Sequence, residues 1–94
     1  MIDFEEIFHI GIRVPNIETA MEEMGESLNL TWAELVENPS QSLWTPNSGQ
    51  QSIPLKFVYS CEGDQHLELL EGQPGSFWDG NENPGVHHFG VWVD

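Results

Sequence analysis

Positive charge is almost missing from this chain. Arg13 and Lys56 are its only Lys or Arg residues, against sixteen Asp and Glu, which leaves a formal charge of −14 over 94 residues. Without a basic stripe a protein cannot neutralise a run of phosphates. Nucleic acid is therefore excluded as a partner, and so is an anionic membrane surface. The acid reads first as a solvated surface, with attraction for cations as its second consequence. Cysteine is scarce as well. Cys61 stands alone, so no internal disulfide forms, and no adjacent His or basic residue activates it as a nucleophile. Long apolar runs are missing too: no stretch approaches the ~18 residues of a membrane span. The opening MIDFEEIFHI has neither the positive start nor the apolar run of a secretory signal. The expectation is a cytoplasmic protein.

What is present suits a folded chain. Hydrophobic residues make up 38% and aromatics 11%, with four Trp among them, enough for the core of one small domain spanning residues 1–94. IFHIGIRV reads as a strand ended by Pro15, with Phe8, Ile10, Ile12 and Val14 on one face and Ile7, His9, Gly11 and Arg13 on the other. Ile17, Ala20, Met21, Met24 and Leu28 then fall at helical spacing behind Asn16, a candidate N-cap. Gly25 inside that helix marks a close contact or a fraying end. LTWAELV reads as a second strand, residues 38–52 as a long loop, IPLKFVYS as a third strand and CEGD as a turn. QHLELLEG is a fourth strand, with His66, Glu68 and Leu70 sharing one face. A Gly/Pro/Asn-rich connector leads to VHHFGVWV. The order βαβββ, connector, β places the chain in the α+β class.

The two ends repeat each other. His9-Ile10-Gly11-Ile12 matches His88-Phe89-Gly90-Val91, and each strand sets a histidine beside a glycine two residues later on the same face. Such a glycine leaves room above a sheet for a ligand or another backbone. Alternation sends His87 to the opposite face. Glu68, flanked by Leu67 and Leu69, adds a carboxylate, and two imidazoles with one carboxylate suit a divalent ion such as Zn, Fe, Ni, Co or Mn. Each of the three is equally an ordinary strand residue when taken by itself. Only the repeated context joins them.

FHIGIRVPNIETAMEEMGESLNL, HLELLEG and GVHHFGVWVD together resemble the vicinal oxygen chelate superfamily, the glyoxalase, bleomycin-resistance and extradiol-dioxygenase group. The likeness is to its glyoxalase-like and methylmalonyl-CoA-epimerase-like members. It implies a cupped sheet around a metal, with His9, Glu68 and His88 as ligands. It also implies a second βαβββ module of which this chain holds only the first strand, so that a fourth ligand lies outside it. Open sheet edges lead to the expectation of a homodimer, with strand exchange as one form. In the resembling enzymes the metal stabilises an enolate while a carboxylate, here Glu68, moves the proton. That implies a lyase, isomerase or epimerase acting on a small oxo- or hydroxyacid derivative. A non-catalytic module that sequesters small molecules is the alternative, and an extradiol dioxygenase the third. Arg13 and Trp92, on the histidine face, are candidates for substrate binding. Glu34 and Glu37 read as surface residues unless they point inward.

Overall fold

The computed structural model describes residues 7–46 and 48–91. Its elements run β1 (Ile7–Arg13), α1 (Ile17–Leu28), β2 (Val36–Thr45), β3 (Gly49–Tyr59), β4 (His66–Gly72) and β5 (Gly85–Val91). They form one mixed sheet in the order β2-β3-β4-β1-β5, with β1 parallel to β4 and the other neighbours antiparallel. The α+β reading therefore holds. Among the described residues no helix is long and apolar enough to cross a membrane.

The helix packs on one face of the sheet. Val14, Ile17, Val58 and Leu69 form a buried cluster there, joined by Ile12, Ala20, Met21 and Met24. Alternation had put Ile12 and Val14 on one face of the first strand and Leu69 on the face of β4 away from Glu68; packing against the helix is what makes these the buried faces. Two devices hold the start of α1. Asn16 caps it by accepting a hydrogen bond from the Thr19 amide at 2.9 Å, and Glu71 on β4 accepts one from the Ile17 amide at 2.7 Å. Both satisfy amides that a helix start leaves without partners. Replacing Asn16 with Ala is expected to cost about 1 kcal/mol. For a domain of this size that lowers the thermal midpoint by roughly 4–8 °C, a shift readable by circular dichroism. Gly25 is a close contact, since a Cβ there would meet the Leu30 carbonyl and the Trp32 indole, each at 3.2 Å.

The expected second strand and the loop after it need correction. LTWAELV makes an isolated bridge, Trp32 to Ser60, and enters a strand only at its last residue, Val36. The second strand is Val36–Thr45, largely within the stretch read as a loop, and β3 begins at Gly49. Trp44 accordingly sits in a strand and is 66% exposed. The physical reason is position in the sheet. An edge strand is held by backbone pairing along one side and has little core to face, so hydrophobic alternation need not mark it. Pro39 is tolerated because a register shift falls between Asn38 and Gln41, and an edge position has no second neighbour to receive its missing N–H.

Candidate metal centre in the cup

The sheet face opposite the helix carries the chemistry. His9 Nε2 and His88 Nε2 lie 2.9 Å apart, His88 Nε2 is 2.9 Å from Glu68 Oε1, and His9 Nε2 is 3.4 Å from the same oxygen. Three residues widely separated in sequence thus aim one donor atom each at a common point. The ring geometry follows from strand register. Antiparallel pairing of β1 with β5 sets His9 opposite Gly90 and Gly11 opposite His88. A Cβ built on Gly11 would collide with the His88 ring, and one built on Gly90 with the His9 ring. The repeated histidine–glycine pair is therefore reciprocal, each glycine making space for the imidazole of the neighbouring strand.

Protons alone satisfy this triangle poorly. If His9 Nε2–H donates to His88, two acceptors face each other at the His88–Glu68 edge. If instead His88 Nε2–H is shared, the His9 lone pair faces the carboxylate. In that state the His9 Nδ1–H, buried and without a hydrogen-bond partner among the described residues, is also unsatisfied. One cation accepting all three lone pairs removes the conflict. Ligands at right angles and about 2.1 Å from one ion stand roughly 3 Å apart, close to the observed edges. The donor set fits a divalent ion that accepts mixed nitrogen and oxygen ligands.

Burial lowers the His9 pKa below the ordinary imidazole value. The Glu68 charge opposes that shift, while His88 and His66 reinforce it. The fold therefore favours neutral His9, the form that ligates. The unfolded chain binds the proton more readily, so His9 contributes stability that is fully present above pH 6.5 and is lost as pH falls towards its lowered folded value. Urea midpoints of metal-free protein, taken from about pH 8 down to about pH 5, are expected to decline from just below the unfolded pKa. A His9→Gln variant should flatten that part of the decline.

Other side chains complete the cup, a cavity of about 350 Å³ whose lining includes all three donor residues. Leu55, Leu70 and Trp78 form its buried apolar wall, with Leu43 and Phe57 packed against it. Tyr59 stands over His9 with ring centroids 5.5 Å apart. Its hydroxyl is pushed up to about 12, first by burial, then by its hydrogen bond to Glu68 and that carboxylate's charge. Gln41 adds an amide to the lining. Sequence reasoning missed Tyr59, Phe57, Leu43 and Gln41. The alternation of Phe57 and Tyr59 along IPLKFVYS was a usable signal, whereas Leu43 and Gln41 lay in the supposed loop.

Trp78 reaches the cup because its loop folds back on itself. The Asp79 carboxylate accepts hydrogen bonds from the Gly75 and Asn81 amides at 2.8 and 2.9 Å, and the Gly72 amide donates to the Trp78 carbonyl at 3.1 Å. Those two amides hold the Asp79 carboxyl below the usual carboxylate range. Trp92, the tryptophan expected at the pocket, lies outside the described residues. Arg13 sits beside the loop rather than in the cavity lining. Its Nη1 donates to the Phe77 carbonyl at 2.7 Å, and its guanidinium stands 5.2 Å from the centre of the Phe77 ring. His66 Nδ1 is engaged by the Ser60 carbonyl at 2.7 Å. Glu34 is exposed, and Glu37 pairs with Lys56 at 3.4 Å.

A search of curated proteins finds no match to the chain. The profile of the Glyoxalase/Bleomycin resistance protein/Dioxygenase superfamily matches residues 8–94, a span that takes in the helix, all three donor residues and every described strand save the first residue of β1. With its mixed sheet and the reciprocal histidine–glycine pairs that join β1 to β5, the chain belongs to the Glyoxalase/Bleomycin resistance protein/Dioxygenase superfamily.

Proposed function

We propose that His9, Glu68 and His88 hold one divalent ion, Zn, Ni, Co, Mn or Fe, at the floor of the cup. In this reading the site serves proton movement beside a carbonyl in a small oxo- or hydroxyacid derivative, as in a lyase, isomerase or epimerase. The observation that carries the reading is the convergence of three donor atoms, all within 4.8 Å of one another, in a cavity with apolar walls. A bound divalent ion supplies Lewis-acid polarisation of substrate oxygens. The chain's own residues do the rest. Glu68 meets both imidazoles through Oε1, which leaves its second oxygen to take a proton. Tyr59 keeps its hydroxyl proton at neutral pH and orients the carboxylate. Leu55, Leu70 and Trp78 keep water from the reacting carbon. Homodimerisation belongs to the same proposal, supported by the edge position of β5 and by Val86 on it, 61% exposed.

Proton exchange tests the reaction. In D₂O, 2-oxo and 2-hydroxy acids are expected to take up deuterium beside the carbonyl only with metal-loaded protein. Glu68→Gln should abolish that uptake while keeping an oxygen ligand. Uptake undiminished in Glu68→Gln removes Glu68 as the base. The apolar walls also support a non-catalytic binding module, which would show metal and ligand binding without exchange.

A further inference from the structure

We infer that the cup selects a compact, apolar chelator carrying at most one negative charge, and rejects phosphorylated, nucleotide-linked or peptide-linked molecules. This rests on the proposed metal site and names its ligand class. The walls are apolar and aromatic: Leu55, Leu70 and Trp78 are buried, and Phe57 and Tyr59 meet edge to face at 6.2 Å. A ligand portion beyond the metal-facing oxygens therefore gains by being apolar and flat. At about 350 Å³ the cavity lies near the lower end of small-molecule sites and suits a single substituted ring.

Charge points the same way. Arg13 and Lys56 are the chain's only permanent cations, and neither lines the cavity. Arg13 is bound to Phe77, and Lys56 pairs with Glu18 at 3.3 Å and Glu37 at 3.4 Å. Glu68 already offsets one charge of the proposed ion, so a second anionic group on the ligand would lose its water with no side-chain cation to meet, inside a chain of charge −14.

Calorimetry separates the layers. Zinc is titrated first, and the zinc-loaded protein is then titrated with benzohydroxamic acid, acetohydroxamic acid and phosphonoformate. Benzohydroxamate is expected to bind about tenfold or more tighter than acetohydroxamate, the gain of burying one ring. Phosphonoformate should bind more weakly than either. Leu43→Arg, which puts a cation in the wall, should strengthen phosphonoformate by about tenfold. Equal affinity for the two hydroxamates, or phosphonoformate matching benzohydroxamate on the unaltered protein, overturns the ligand class and leaves the metal site standing. Failure to take up zinc overturns both, and it is seen at the first titration before any chelator is added.

Discussion

Saturating zinc or nickel is expected to raise the thermal midpoint of this protein by roughly 10–20 °C. The size follows from linkage. An ion bound only by the folded chain and present at about a hundredfold its dissociation constant stabilises by about 2.7 kcal/mol. A domain of this length shifts by about 4–8 °C for each kcal/mol. A chain of charge −14 also gathers cations non-specifically, so the variants matter more than the shift itself. His9→Ala and His88→Ala each remove one donor and should abolish nearly all of the response. Gly90→Ala and Gly11→Ala keep every donor, yet they place a methyl where the ring of His9 or His88 stands. Either should weaken the response as severely as losing the histidine. A midpoint shift that survives in both His→Ala variants would falsify the site and assign the effect to the acidic surface. Melts followed by circular dichroism, with magnesium as the weakly ligating comparison, decide it.

Gly80→Ala should destabilise the protein by about 2–3 kcal/mol, the cost of forcing an extra methyl into a packed contact. A Cβ on Gly80 would run into the Val14 backbone itself, at its carbonyl group and Cα. Backbone cannot swing aside as a side chain does. Val14 is tied down in turn, its amide donating to the Leu70 carbonyl at 2.9 Å and its side chain buried under the helix. The loop is then the part that must lift, taking with it Trp78, two residues away, and part of the cup wall. The expected midpoint loss is about 10 °C or more, accompanied by a change in tryptophan fluorescence. Glu82→Ala, exposed in the same loop, should stay within about 0.5 kcal/mol of the parent. A Gly80→Ala protein as stable as Glu82→Ala would show that the loop does not rest on Val14.

The two experiments address features of different legibility. His9 and His88 were visible because strand alternation is a local rule, and the glycine two places after each histidine marked the same face in both strands. Glu68 followed from its place on a strand between Leu67 and Leu69, where a buried carboxylate needs a partner. The helix start was equally legible, because a cap acts within four residues of chain. None of the local patterns indicated that Gly80 touches Val14 or that Tyr59 lines the same cavity as Trp78.

The sequence by itself determined the βαβββ order, the helix with its Asn16 cap, the face that His9 and His88 share and the candidate donor triad. All of these rest on period-two or period-3.6 patterns and on contacts between near neighbours. Tertiary structure decided the rest. It placed β2 at Val36–Thr45, because an edge strand held by backbone hydrogen bonds carries no hydrophobic signature. It brought Tyr59, Gln41 and Trp78 to the cavity, because sheet order and loop folding are set by pairings between distant segments. It also gave the repeated glycines their purpose: the space each one leaves is filled by the other strand's histidine, a relation that exists only once β1 and β5 lie side by side.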